Sequence, residues 1–435
     1  MKSKLALFGG PKTIKHELRH YKSVGREEVE AVKAVVGSGV LSKYLGCWDP
    51  DFYGGPKVQE FERRWAEYFG SKHAMAVNSN TSGLICAVGA LGIEPGDEVI
   101  VSPWTMCASA TAIVMWNAIP VFADIETDTF NLDPKAIEKC TTPLTRAIMV
   151  TDIFGHAADL DAIMTIAKKH NLKVIEDCAQ APGALYKGKY VGTIADIGVF
   201  SLNYHKHINT GEGGVCVTDD PVLAERIQLI RNHGEAVVGD KGVTDLTNMV
   251  GFNFRMGEIE AAIGIEQLKK LKDLVGERQR AANRLAEGIR DLKGLRLPIV
   301  KPDCTHVYYQ FPLLNNEQLT GAHRKRLVEA LTAEGVPAMG GGGYVNVHLL
   351  PMYQKKIAFG SKGFPWVPEI YKGSVSYQKG ICKIAEELHD RSFIGMEMCL
   401  YHYTDADIDQ MIEAFRKVWD NLDQLRGLGA ATKAA

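Results

Sequence analysis

Between residues 55 and 219, short runs rich in β-branched residues alternate with stretches whose apolar positions recur at helical spacing. That alternation is the pattern of βαβ units and predicts a mainly parallel sheet with helices on its faces. Val58, Phe61, Trp65 and Phe69 fall on one helical face, and the run stops at Gly70, a residue suited to a left-handed cap. Strands are expected over residues 74–77, 98–101, 121–123, 148–153, 174–177, 197–201 and 214–218. Helices are expected between them, through Leu84 and Leu91 and over residues 108–116, 134–139 and 160–170. After Glu258 the pattern changes to long helices, with Ile259, Ile263 and Leu268 on one face. Gly340 to Gly343 is a run of glycines with no side chains to pack, so it is expected as an irregular loop, either a linker or a substrate-facing lid.

A chain of 435 residues exceeds what one core usually holds. A boundary near residues 273–280 divides it into a large domain with an N-terminal arm, 1–275, and a smaller C-terminal domain, 276–435. Two lobes make a cleft. A formal net charge of −2 and 23% charged residues give no basic patch for nucleic acid, and no apolar run suits a membrane. The apolar stretch after Lys2 and Lys4 is too short for a signal peptide, so the protein is expected in the cytoplasm. Nine cysteines, an odd number with no Cys-x-x-Cys pair, point to core thiols, with no disulfide framework and no metal cluster.

Val174-Ile175-Glu176-Asp177-Cys178-Ala179-Gln180 places an acidic side chain at the carboxyl end of a buried strand, where open α/β sheets bind ligands. An ionised carboxylate is costly there without a cationic partner, and a protonated pyridine nitrogen is one such partner. A helix cap is the other reading of Asp177. Farther on, Lys206 lies between two strands in a small, polar, glycine-rich loop that lets backbone approach a ligand closely. Alone it would be a solvated lysine. Ser201, just upstream, has a hydroxyl that can donate to a phosphate. Val77-Asn78-Ser79-Asn80-Thr81-Ser82-Gly83-Leu84 runs from a strand through small polar residues into a helix, either a second phosphate cradle or a simple N-cap.

Four stretches together carry a specific likeness. They are Gly96-Asp97-Glu98-Val99-Ile100, Glu176-Asp177-Cys178-Ala179-Gln180, the segment from Ser201 to Gly214 ending Gly-Glu-Gly-Gly, and Gly251-Phe252-Asn253-Phe254-Arg255-Met256. On these the chain resembles the DegT/DnrJ/StrS family of sugar aminotransferases. The resemblance implies an α/β fold of the fold-type I, aspartate aminotransferase-like class, with pyridoxal 5'-phosphate (PLP) as cofactor and its pyridoxamine form between half-reactions. It implies that Lys206 holds the cofactor as a Schiff base, that Asp177 faces the pyridine nitrogen and that Gln180 lies near the phenolic oxygen. Asn80, Thr81 and Ser201 would hold the phosphate, and Asn253 would reach it from the neighbouring subunit of a homodimer. The implied substrates are an amino acid donor, L-glutamate, and a keto or aldehyde sugar: a nucleotide-linked keto sugar, an oxidised octulosonate-type acid of lipopolysaccharide or an aminocyclitol ketone. Glycan or antibiotic biosynthesis is the implied setting.

One position departs from the family's pattern. Where an aromatic residue usually stacks on the ring, this chain has Thr105-Met106, and either Met106 packs there through its sulfur or Trp104 supplies the ring. Lys206-His207-Ile208 also resembles the His-His-Ile of the sugar 3-dehydratases with a lysine restored, and the lysine favours transamination. A non-catalytic protein on the same fold would not need the lysine, the aspartate and both cradles. Gly183 to Tyr190 nearly matches a nucleotide P-loop but lacks its final hydroxyl residue.

Overall fold

The computed structural model describes residues 3–426; the remainder of the expected C-terminal domain, 427–435, lies outside the described residues. The seven expected strands form as β1 (His73–Val77), β2 (Glu98–Val101), β3 (Ile119–Phe122), β4 (Thr145–Thr151), β5 (Lys173–Asp177), β8 (Ile197–Ser201) and β9 (Gly214–Thr218), and two short strands not expected from sequence, β6 (Leu185–Tyr186) and β7 (Lys189–Tyr190), lie between β5 and β8. Seven of them build one sheet in the order β1-β9-β8-β5-β4-β2-β3, with β9 alone running against the others. Alternation explains the runs of apolar residues. Val99 and Val101 point into one core and Ile100 into the other, and helices cover both faces. Helices α1 (Arg26–Ser38), α2 (Pro56–Phe69), α3 (Asn80–Ala90), α4 (Ala108–Met115), α5 (Pro134–Cys140), α6 (Leu160–His170) and α7 (Pro221–Arg231) precede a long α8 (Glu258–Ile289). In α2 the four expected apolar residues are buried and Gly70 takes the left-handed cap at φ 75°.

Two expectations need correction, the buried stripe of α8 and the glycine run. The stripe that α8 buries runs through Ala261, Ile265, Leu268, Leu271 and Val275, while Ile259 and Ile263 are only half-buried. The expected division at 275/276 falls inside α8, which runs on unbroken for 32 residues. Polar residues there mimic a linker, yet Arg278 is buried, its guanidinium 4.0 Å over the Tyr21 ring and bonded to the Leu274 carbonyl. A second sheet, β10 (Leu295–Arg296), β11 (Gln310–Asn315), β12 (Met339–Gly341) and β13 (Phe393–Glu397), is ordered β10-β11-β13-β12. It packs with α9 (Arg324–Glu334) and α10 (Asp405–Asp420) around a third core that also takes in Leu5 and Ile14 of the N-terminal arm. Part of the C-terminal half belongs elsewhere: Val347, Tyr353, Trp366, Tyr371 and Tyr377 join the core of the large sheet. Tyr371 donates to Glu98 at 2.5 Å and Tyr377 to the Pro120 carbonyl at 2.8 Å, fixing this segment over β2 and β3.

The glycine run is also more ordered than expected. Gly340 and Gly341 sit in β12, paired with Gly395 and Ile394 of β13, because ladder hydrogen bonds need no side chain. Gly343 answers to crowding: with φ 56°, a Cβ there would stand 2.4 Å from the Trp104 ring. The P-loop-like segment is a tight hairpin, β6 to β7, turning at Lys187 and Gly188. Among the described residues no helix is long and apolar enough to cross a membrane.

Candidate active site

The carboxyl ends of β1, β2, β4, β5 and β8 open onto one edge of the large sheet, and the expected chemical groups gather there. Asp177 is the last residue of β5 and is buried. Its carboxylate accepts hydrogen bonds from the Ser109 hydroxyl at 2.8 Å, the Ala179 amide at 3.2 Å and the Asn80 side-chain amide at 3.3 Å. Burial nonetheless raises its pKa above the usual carboxylate range, with those donors opposing. A buried carboxylate so held gains from any cation that binds opposite it.

Lys206 follows β8 in a turn closed by its own amide on the Asn203 carbonyl at 3.0 Å. Its side chain is buried and its amine lies 4.3 Å over the ring of Tyr309, in the second sheet's half of the chain. Burial pulls the amine down to about 8, against the upward pull of Asp177, Cys399 and Glu397. A large share of such an amine is neutral near pH 8, the state a nucleophile needs. Neighbouring His207 is pushed down to about 3 by burial and stays neutral, its Nε2 on the Val307 carbonyl at 2.8 Å.

Strand register brings the phosphate candidates together. Gly214 of β9 faces Ser201 of β8 on one side and Val77 of β1 on the other. A Cβ on Gly214 would come within 2.8 Å of the Asn80 amide nitrogen, so only glycine lets the start of α3 approach β9. Ser79 caps α3 through the Ser82 amide, leaving the first-turn amides of Asn80 and Thr81 as donors at the positive end of the helix. Asn80 thus offers its backbone amide at this helix start. Its side chain turns to Asp177, and its Oδ1 is buried without a partner.

Gln180 accepts from the Phe154 amide at 2.8 Å and donates to the Tyr344 hydroxyl at 3.0 Å. Met106 starts the turn that carries Ser109 to Asp177, and it is 52% exposed. Trp104 is fully buried, edge-on to Phe130, Phe154 and Phe393, with its N–H on the Tyr344 carbonyl at 2.5 Å. It is a core residue, whereas Met106 accepts the Ala108 amide on its sulfur at 3.0 Å. Asn253 stands at the surface beside the exit of β1, its side-chain oxygen held by Arg255 at 2.8 Å.

Sequence reading missed Ser109, Tyr309 and Glu397, and had Tyr344 only among many candidates. Ser109 could have been found as a polar residue on an otherwise apolar helix. Asp152, Glu176 and Cys178 bring three potential metal ligands together, but backbone amides of Gly192, Ile194 and Ala195 already fill Glu176 and that of Ala158 binds Asp152. That group is structural.

A buried amine, a carboxylate able to hold a cation, an unpartnered amide oxygen and a ring of anion-binding donors fit a phosphorylated pyridine aldehyde. Comparison with known proteins agrees. GDP-perosamine synthase of Caulobacter vibrioides is 37% identical over 71% of this chain and 82% of its own. L-glutamine:scyllo-inosose aminotransferase of Streptomyces griseus is 33% identical over 98% of this chain and 100% of its own. A solved aminotransferase from Psychrobacter cryohalolentis superposes with a TM-score of 0.80 at 29% identity, over 94% of this chain and 100% of that one. Since the DegT/DnrJ/EryC1/StrS aminotransferase family model matches residues 26–381, a span holding every residue of this site but Glu397, the chain belongs to that family of PLP-dependent aminotransferases.

Proposed function

We propose that the enzyme moves the amino group of L-glutamate to the carbonyl carbon of a sugar or cyclitol. The observation that carries this reading is the buried Lys206 amine beside Asp177 at the strand ends. Bound there, PLP supplies an aldehyde that takes up the amino group and a ring that accepts an electron pair. The chain's own groups do the rest. Ser109 and Asn80 fix the Asp177 carboxylate, which holds the proton on the pyridine nitrogen. Ser201 and the amides of Asn80 and Thr81 anchor the phosphate, and Gln180, braced by Tyr344, orients the phenolic oxygen. The Lys206 amine is placed to take the proton from the donor's α carbon and to return it two atoms away, to the carbon on the far side of the donor nitrogen. An alignment with the inosose aminotransferase along the full length of both chains supports a cyclitol ketone among the acceptors. Labelled glutamate with a set of keto sugars and cyclitols should yield 2-oxoglutarate and one labelled amine; failure with every acceptor would reject the reading.

Met106 is assigned to one face of the ring. Met106→Ala should weaken PLP binding about twofold to tenfold, as sulfur–aromatic contacts suggest, and Met106→Phe should restore it. Titration of cofactor absorbance checks this, and unchanged binding in Met106→Ala removes Met106 from the site.

The active unit is a homodimer in which Asn253 completes the phosphate site across a two-fold axis. Leu41 (52% exposed), Leu45 and Trp48 (43% each) form an apolar rim close to Asn253, linked through Asn232, which bonds the Leu45 carbonyl and bridges to Asn253. Sedimentation should find a dimer at assay concentrations. A fully active monomer ends the in-trans role.

A further inference from the structure

In β13, Ile394 and Met396 point into the third core, so Phe393, Gly395 and Glu397 take the other face. Phe393 confirms the direction, packing on Trp104 and Phe154 of the large unit. Glu397 therefore reaches toward the site, and its register partner Gln310 shares that face. Gln310 follows Tyr309, whose ring lies under the Lys206 amine. The Glu397 carboxylate has no hydrogen-bond or ion-pair partner among the described residues; burial raises its pKa and the Lys206 ammonium lowers it. Gln310 adds a buried side-chain oxygen that also lacks a partner. Both oxygens lie on one face of the second sheet without a donor from the described residues, so a ligand that brings hydrogen finds acceptors there.

We propose that Glu397, with Gln310, reads the acceptor: these oxygens accept hydrogen bonds from hydroxyl groups flanking the acceptor's carbonyl, and the acceptor ring carries no negative charge there. The donor gains nothing from Glu397, since its carboxylates are repelled. An acceptor with its own carboxylate at that end, such as an oxidised sugar acid, is disfavoured for the same reason. The proposal rests on the aminotransferase reading of Lys206, and the two half-reactions separate them.

The test uses holoenzyme, wild type and Glu397→Gln, which removes the charge and keeps the shape. Glutamate loads the amino group, and scyllo-inosose, a nucleotide-linked 4-keto-hexose or 5-keto-gluconate discharges it, each followed by cofactor absorbance. A neutral-ring ketone should be the best wild-type acceptor. Its half-saturating concentration should rise about tenfold to a hundredfold in Glu397→Gln, as expected for a hydrogen bond to a charged group, with little change in the saturating rate. The glutamate step should be unchanged or saturate at lower glutamate. The alcohol corresponding to that ketone cannot react, and calorimetry should show its affinity weakened by a similar factor. The proposal is overturned by 5-keto-gluconate as best acceptor, by failure of both neutral ketones, by an unaltered acceptor dependence or by equal losses in both half-reactions. If glutamate cannot load wild-type protein at all, the aminotransferase reading falls first and takes the proposal with it.

Discussion

Lys206→Ala is expected to lower transamination by about 10⁴-fold or more, because one side chain is both the cofactor's covalent anchor and the proton carrier. The anchor is lost outright, yet the phosphate cradle and Asp177 remain, so PLP should still bind, without a covalent link. Folding should not suffer. The amine is costly to bury charged, as its fall to about 8 shows. The pH dependence follows from that fall. Below pH 8 the amine of cofactor-free protein is mostly protonated, so its covalent capture of PLP should rise about tenfold per pH unit and level off above pH 8. A capture rate still climbing tenfold per pH unit beyond pH 9 would mean the amine is not lowered as its burial implies. Lys206→His tests the dehydratase alternative, since it recreates His-His-Ile; gain of dehydration there would show how little else separates the two reactions.

Asp177→Asn should keep much of the cofactor affinity but lose turnover by about a hundredfold to a thousandfold, the scale for losing one preorganised charge. An amide cannot hold the proton on a pyridine nitrogen as a carboxylate does. The local structure should tolerate the change, because the Ser109 hydroxyl, now donating at 2.8 Å, can rotate to accept from the new amide. Stopped-flow loading by glutamate measures the loss directly. Near wild-type turnover would make Asp177 a helix cap and nothing more.

Much of this was legible in sequence. Strands buried on both faces read as apolar runs, and the strand-end Asp177 and Lys206 in its glycine-rich loop carried the chemistry between them. Gln180 and Ser201 were implied by the resemblance to the family's motifs, and the structure brings both to the same edge of the large sheet as Asp177. The misreadings share one cause: side-chain patterns do not report backbone pairing or distant convergence. Gly340 and Gly341 have no side chains to betray a strand, and only β13, some fifty residues on, reveals their pairing. Asp273 to Arg280 looks like a linker until Arg278 meets Tyr21. Tyr309 and Glu397 become site residues only because the second sheet folds back onto the turn after β8. Nothing near them in sequence signals it. Sequence could not weigh the burial of the two candidates for the ring-facing position: Trp104 is at 0% and Met106 at 52% exposure.

The whole mechanism turns on Lys206 forming the covalent link to PLP. Borohydride reduction of the purified yellow protein, followed by peptide mass spectrometry, reads that link itself. A reduced pyridoxyl phosphate adduct is expected on Lys206, absent after prior loading with glutamate and restored by 2-oxoglutarate. An adduct on a different lysine, or a bound pyridoxamine form that no keto acid discharges and borohydride never fixes, would contradict it.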